Sequence, residues 1–236
     1  EHVVVFNGTT PVGNLNFGNL PSLDFADAPD SYRTTLAAGG PSHGLLAGLS
    51  LGGAPDRELD GRPSVGADGD DVAGLIGDGG MIVDDEDGVR LLTPIGPGAN
   101  ATFEVSLTNS TGQNGFLRAW FDYNRDGDFT DAGELVISDA NRPAGASQFV
   151  IAIPSTVTPG NLYTRFRYSL TQGLGVGGQS DAGEVEDHLF TIQASAKVAN
   201  DDVVQVTRNS QANRLDKLLP VSYTHLRAHE TKANLV

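Results

Sequence analysis

The second half of the chain consists of short segments in which apolar and polar residues alternate. Between Thr102 and Leu107, an apolar side chain occupies every second position. Such alternation puts the apolar residues on one face of a β-strand, so that one face is buried and the other is solvated. Further strand-like segments follow at residues 116–121, 149–153, 162–170 and 185–192. The sequence therefore predicts an all-β fold, a β-sandwich of jelly-roll or immunoglobulin-like type with roughly seven or more strands.

Composition narrows the classes of function. The 236 residues include 30 glycines and 12 prolines but no cysteine, which excludes a disulfide framework and a thiolate metal site. The formal net charge is −15, and all three lysines lie in the last 40 residues. A body this acidic does not bind nucleic acid through phosphates, but it suits cation binding outside the cell. No segment reaches the ~18 apolar residues of a membrane helix, so we expect no membrane insertion.

Residues 122–134 offer oxygen ligands at alternate positions, followed by a glycine. Hard cations such as Ca²⁺ take six to eight oxygen ligands, and Gly127 permits the sharp turn that wrapping an ion requires. Asp128 would contribute its backbone carbonyl. The predicted metal ligands are Asp122, Asn124, Asp126, Asp128, Asp131 and Glu134.

This loop differs from an EF-hand in its closing residue and in its flanks. An EF-hand closes with a glutamate at position twelve, where this chain has Gly133, with Glu134 one residue later. The flanking residues predict strands, so we expect a calcium loop at the tip of a β-hairpin, closed by Glu134 or by Asp131. The alternative is an acidic turn without metal, in which the carboxylates repel one another.

Residues 24–90 have few strand signals and many acidic residues. A second cation site is predicted from Asp84, Asp85, Asp87 and Glu184, and such an ion would order the acidic loop 56–87. The alternative is a solvated acidic loop. Glu184 and Glu186 share one face of a strand, and Asp187 lies on the other. These acids could instead pair with Arg165 and Arg167, an interpretation that we favour for Glu186.

An enzymatic function finds little support. A serine triad needs an oriented histidine and a strained serine turn, and no serine lies in a G-x-S-x-G motif. His43 is expected to be a packed or hydrogen-bonded loop residue. Carboxylate pairs are so numerous that one at glycosidase spacing carries no information. The sequence therefore predicts a protein that is not an enzyme.

Two aromatic residues beside the acidic loop suggest a carbohydrate-binding alternative. Trp120 and Tyr123 could stack on a sugar ring if they face solvent. An exposed Trp120 near an open cation position would favour ligand binding. A buried Trp120 would favour an ion with a purely structural role.

The segment Asp181-Ala182-Gly183-Glu184-Val185-Glu186-Asp187 resembles the GEVED domain, a module of large bacterial secreted and surface proteins. Blocks at residues 24–32, 84–89 and 119–128 resemble the same family in the same order. Two positions depart from its pattern, because Ala26 replaces a usual glycine and His188 a usual aromatic residue. The resemblance implies a module and an extracellular location, and it implies no catalytic activity.

The domain layout follows from these segments. Residues 1–20 resemble the end of a B-repeat-like stalk domain, and residues 24–194 form the GEVED-like sandwich. Residues 197–217 resemble the start of a truncated cadherin-like or immunoglobulin-like repeat, and residues 218–236 resemble a translated sequencing adapter, a non-native tail.

The predicted function is that of a non-catalytic, calcium-binding structural or adhesive module at the bacterial cell surface. Its expected partners are neighbouring domains of the same chain and cell-surface glycans or proteins. The alternative is a calcium-dependent carbohydrate-binding module of a secreted enzyme or adhesin.

Overall fold

The structure, a computed structural model, describes residues 22–69 and 85–194. All of these residues belong to one compact unit, Glu1–Ser195, and a second unit, Ala196–Val236, lies outside them. The predictions for residues 1–20, 197–217 and 218–236 therefore fall outside the described residues, as does Asp84.

Eleven β-strands and two short 3₁₀ helices make up the regular structure of the described residues. The 3₁₀ helices are Asp30–Tyr32 and Leu36–Ala38. The strands are β1 (Leu23–Phe25), β2 (Pro41–Gly44), β3 (Leu49–Leu51), β4 (Val89–Leu91), β5 (Asn100–Asn109), β6 (Phe116–Phe121), β7 (Leu135–Ala140), β8 (Gly145–Ala152), β9 (Gly160–Ser169), β10 (Gly178–Ser180) and β11 (Gly183–Ile192). Within this part of the chain, no helix has the length and apolar character needed to cross a membrane.

The strands form three sheets. The first, which we call the central sheet, is antiparallel in the order β11-β9-β6-β7. The second is built on β5, which pairs antiparallel with β3, β4 and β8. The third is small, in the order β1-β2-β10, with β10 parallel to β2. This sandwich-like arrangement confirms the predicted all-β fold class.

The main core lies between the central sheet and the β5 sheet. Phe103 of β5 packs against Phe121 and Phe190, with ring centroids 5.1 and 5.4 Å apart. Phe103, Val105 and Leu107 are all buried, which confirms the strand predicted from their alternation. We call the face of the central sheet that meets this core its inner face.

The opposite, outer face of the central sheet is also covered. A second apolar cluster forms there from Ala28, Tyr32, Trp120 and Phe129, with Tyr163 and Val176 packed against it. Ala28 and Tyr32 come from the acidic section near the start of the described residues. That section therefore serves as a cover for the outer face, and we call residues 22–69 the cover segment.

The cover segment holds more strand than its sequence indicates. Leu49–Leu51, two buried leucines around a serine, form the short strand β3. However, β1 and β2 lie in stretches without an alternating pattern, and both are at most four residues long. β1 pairs with β2, and β2 in turn pairs with β10, which is distant in sequence. Local sequence carries no signal for such a pairing.

Candidate metal centre

The loop between β6 and β7 carries the strongest predicted metal site. Phe121 ends a buried strand, and its N–H donates to the carbonyl of Glu134, which closes the base of the loop at 2.9 Å. Phe129, halfway round the loop, is buried in the outer cluster. Gly127 has φ of +90°, as the predicted sharp turn requires. The loop is thus fixed at both ends and in the middle.

Asp122 lies at the base of the loop and is buried. Its Oδ1 accepts the N–H of Arg125 at 2.6 Å, and its Oδ2 accepts the N–H of Gly127 at 3.1 Å. The Tyr32 hydroxyl also donates to Oδ2, at 2.6 Å. Burial, together with this contact to Asp122, raises the pKa of Tyr32 well above its ordinary value, so the tyrosine remains a donor. Asp122 therefore links the loop to the cover segment.

Asn124, Asp126 and Asp131 lie on the exposed side of the loop. The Asn124 amide donates to Asp126 at 3.1 Å and also to Asp131. Its own carbonyl oxygen accepts the N–H of Asp126 at 3.0 Å. Amide hydrogens thus bridge two carboxylates that would otherwise repel each other.

Glu134 closes the loop from its buried side, with only 2% of its surface exposed. Its Oε2 accepts the N–H of Asp131 at 3.0 Å, while its Oε1 is buried and has no hydrogen-bond partner. Burial raises the pKa of Glu134 to about 7, and the carboxylates of Asp122, Asp126 and Asp131 add to this rise. Burying an ionised carboxylate without a hydrogen bond or a counter-charge costs free energy. A bound cation or a proton on this carboxylate would remove that cost.

The geometry brings together three of the six predicted ligands. Oxygen atoms of Asp122, Asp126 and Glu134 all lie within 4.8 Å of one another, as ligands of one ion must. Asn124 and Asp131 are hydrogen-bonded into this group from the exposed side. At Asp128, for which the backbone carbonyl is the predicted ligand, the carboxylate accepts the Thr130 N–H and hydroxyl, each at 2.8 Å. These bonds lower the pKa of Asp128.

The pentapeptide at residues 183–187 connects β11 of the central sheet to three neighbouring segments of the chain. Gly183 has φ of +130°, and an added Cβ would lie 1.9 Å from the Tyr168 carbonyl oxygen. The three carboxylates that follow accept backbone N–H groups of three separate segments. Glu184 accepts from Leu51, Glu186 from Gly88 at 2.8 Å, and Asp187 from Ala28 at 3.0 Å. Each acidic side chain thereby fastens one loop to β11.

The salt bridge expected for Glu186 belongs to Asp187 instead. Arg165 donates to both carboxylate oxygens of Asp187, each at 2.7 Å, and both side chains are fully buried. The register places Asp187 directly opposite Arg165 on the outer face, whereas Glu186 lies opposite Phe166 on the inner face. The prediction for Glu186 was wrong because the alternation within each strand does not give the register between β9 and β11. Only that register decides which acid shares a face with the arginines.

The family model of the GEVED domain matches residues 116–191, from the first residue of β6 to the penultimate residue of β11. The chain contains a GEVED domain. The match includes both the acidic loop and the pentapeptide, whereas the blocks at residues 24–32 and 84–89 lie outside it. Neither the comparison with curated proteins nor the comparison with solved structures found a match.

A second acidic cluster, of which only Glu184 lies within the GEVED match, differs from the predicted one. Asp85 and Glu184 do meet, but their third partner is Asp24, with oxygen atoms of all three within 4.8 Å. Asp87 lies apart and exposed, where it accepts the Gly53 N–H at 2.7 Å. Burial raises the pKa of Glu184, as do the charges of Asp24 and Glu186. Asp24 could not be assigned from sequence, because only the third sheet brings β1 to the edge of β11.

Of the two predicted ligand-facing aromatics, Trp120 is buried and Tyr123 is partly exposed. Trp120 is 4% exposed and packs in the outer cluster, with the Arg118 guanidinium 5.5 Å from its ring centroid. Tyr123 is half-buried against the main core, with its ring 5.9 Å from that of Phe121. The prediction for Trp120 was wrong, because the cover segment occupies the face on which its ring lies. The prediction for Tyr123 stays a prediction.

His43 is a buried structural residue on β2. Its Nε2 accepts a hydrogen bond from the Arg167 Nε at 2.9 Å, so Nε2 carries no proton and the imidazole is neutral. Burial, with the Arg167 charge adding to it, holds the pKa of His43 well below 6.5. Arg167 also donates to the carbonyls of Gly175, Gly177 and Gly178. These three glycines belong to the glycine-rich run 173–178, which thus supplies acceptors for a buried guanidinium. The sequence of the run alone does not reveal this role.

Proposed function

We propose that the GEVED domain is a non-catalytic, calcium-binding structural module of a larger extracellular bacterial protein. The GEVED family consists of non-enzymatic accessory domains, so the match supports a module rather than an enzyme. The net charge of −15 and the absence of cysteine suit a protein stabilised by cations outside the cell. Neighbouring domains of the same chain, and glycans or proteins at the cell surface, are its proposed partners.

The observation that carries the proposal is the buried Oε1 of Glu134. This oxygen has no hydrogen-bond partner, and oxygen atoms of Asp122 and Asp126 lie within 4.8 Å of Glu134. The donor set consists of carboxylates, which are hard oxygen ligands of the kind Ca²⁺ prefers. An ion there would satisfy the oxygen and offset the repulsion among the three charges.

The ion's proposed role follows from the contacts of Asp122. This residue accepts the hydroxyl of Tyr32, and Tyr32 packs against Phe129 with ring centroids 4.7 Å apart. An ion that fixes Asp122 and the loop around Phe129 would therefore also stabilise the docked cover segment. Burial of Trp120 weakens the support for a sugar-binding surface at this loop.

Thermal unfolding of the full chain with Ca²⁺ and with chelator tests the proposal. Binding to the folded state stabilises by RT ln(1 + [L]/Kd), about 4 kcal/mol at 1,000-fold saturation. We expect a rise in Tm with calcium that is largely lost in Asp126→Ala. Asp181→Ala, which removes a carboxylate from an exposed turn, is the matched control and should keep the full rise.

Glu134→Gln separates charge from packing at the same site. Because the raised pKa of about 7 makes the ionised form unfavourable, the amide should stabilise the chelated protein at pH 8. The same variant should lose most of its response to calcium. A chain whose Tm is unchanged by calcium, or an Asp126→Ala variant that responds like the parent, would refute the proposal.

A further inference from the structure

A histidine and two glutamates meet at the edge of the main core. Glu186 and His188 lie two residues apart on β11 and share its inner face, while Glu86 comes from the segment that precedes β4. His188 Nε2 is 3.1 Å from Glu186 Oε2 and 4.0 Å from Glu86 Oε2. One ligand atom from each of the three residues lies within 4.8 Å of the others.

The surroundings of this group are apolar on one side and slightly exposed to solvent on the other. The imidazole lies beside the rings of Phe166 and Phe190, with centroids 5.8 and 5.5 Å away. Glu186 is 1% exposed, whereas the side chains of His188 and Glu86 keep 12% and 9% of their surface in solvent. A small ion can therefore reach the group from the side of His188 and Glu86.

A proton on His188 cannot link all three residues. A hydrogen bond from Nε2 reaches Glu186 at 3.1 Å, but the 4.0 Å to Glu86 Oε2 exceeds hydrogen-bonding distance. A metal ion bound at about 2.1 Å from each ligand tolerates ligand atoms up to roughly 4.2 Å apart. Both distances from the imidazole fall within that limit, and the two carboxylate oxygens lie within 4.8 Å of each other, so small side-chain movements would let one ion contact all three residues.

The imidazole determines the class of ion. Ca²⁺ and Mg²⁺ take oxygen ligands, whereas a mixed set of imidazole and carboxylates suits Zn²⁺ and other divalent first-row transition metals. We propose that Glu86, Glu186 and His188 bind a divalent transition-metal ion of the Zn²⁺ type, with water completing the coordination. The ion fastens the segment around Glu86 to β11. This site shares no residue with the loop at 122–134 and does not rest on the function proposed above.

Isothermal titration calorimetry with Zn²⁺ and the full chain tests this site. His2, His225 and His229 lie outside the described residues and are replaced by glutamine in all samples, because they could bind zinc themselves. Excess Ca²⁺ is present to saturate the acidic clusters. We expect one equivalent of Zn²⁺ to bind and to raise the Tm. Loss of a supporting residue around a metal costs about 10–100-fold in affinity, so loss of a ligand in His188→Gln should cost at least about 100-fold.

Three further variants make the result decisive. Glu86→Gln removes a partly exposed ligand and should weaken zinc binding even if His188→Gln folds poorly. Glu104→Gln removes a partly exposed carboxylate that pairs with Arg90, and should bind zinc like the parent. Asp126→Ala should lose the calcium response but keep zinc binding, which separates failure of this site from failure of the calcium loop. Absence of zinc binding, or equal binding by the parent and by Glu86→Gln, overturns the proposal.

Discussion

The two faces of the central sheet are buried in different ways. On the inner face of β9, Leu162 and Phe166 are completely buried against apolar residues of the β5 sheet. On the outer face of the same strand, Arg165 and Arg167 are buried as deeply. Their partners are Asp187 on β11 and His43 in the cover segment. One strand thus contributes to an apolar core and to a layer of buried charge.

This difference shows what each kind of burial demands. Apolar packing needs volume and shape, and it tolerates many partners. A buried guanidinium needs an acceptor for each N–H, and these acceptors are the Asp187 carboxylate, His43 and backbone carbonyls of the glycine-rich connection. Such a layer adds little net stability over an apolar one, but a charge left buried without its partner strongly destabilises the folded state. We expect the outer face to specify how the cover segment docks.

Asp187→Ala should cause the largest loss. It leaves the Arg165 guanidinium buried without its counter-charge, which costs about 3–5 kcal/mol of unfolding free energy. Urea unfolding measures the loss. The double variant Arg165→Met with Asp187→Leu removes both charges and should recover most of it. Equal losses in the single and double variants would show that packing, not charge, holds the outer face.

Leu162→Ala tests the inner face on the same strand. Truncating this fully buried leucine should cost about 2–5 kcal/mol, through lost transfer energy and the resulting cavity. Because the replaced side chain does not titrate, the loss should be the same at pH 5.5 and pH 7.5. A loss that changes between these pH values would mean that the two faces are coupled.

The His43–Arg167 contact predicts a pH dependence of the outer face. The pKa of His43 is lowered in the folded state, so below about pH 6.5 the unfolded chain binds a proton that the folded chain excludes. The contribution of His43 is therefore present above pH 6.5 and is lost as the pH falls, by at most about 1.4 kcal/mol per pH unit.

His43→Gln isolates this effect, because its amide oxygen can still accept from Arg167 but does not titrate. Urea unfolding between pH 7.5 and 5.5 should show a shallower loss of stability in the variant than in the parent. Parallel curves for the two proteins would contradict a buried, neutral His43.

Arg90→Ala should have the smallest effect. Arg90 pairs with Glu104 at 2.5 Å, but 69% of the arginine side chain is exposed. An ion pair in water contributes below about 1 kcal/mol, and salt should reduce that further. The change in urea midpoint measures it. A loss comparable to that of Asp187→Ala would show that burial is not what separates the two ion pairs.

Much of the candidate site could be predicted from the sequence because the loop is local. Asp122 and Asp126 lie four residues apart, with a glycine next to Asp126, and the structure places Glu134 beside them. Asp24 could not be predicted, since it lies 160 positions from Glu184 in the sequence. The pairing of Arg165 with Asp187 depends on strand register, which no local pattern specifies.

The sequence by itself determined the all-β fold class, the strands of the central sheet and the loop that collects carboxylates, because two-residue alternation and close spacing are short-range properties. Only the tertiary structure decided which acids are buried, which of them face the arginines, and that Trp120 lies beneath the cover segment. Those outcomes depend on contacts such as Ala28 with Asp187, 159 positions apart, and on the desolvation that such contacts impose.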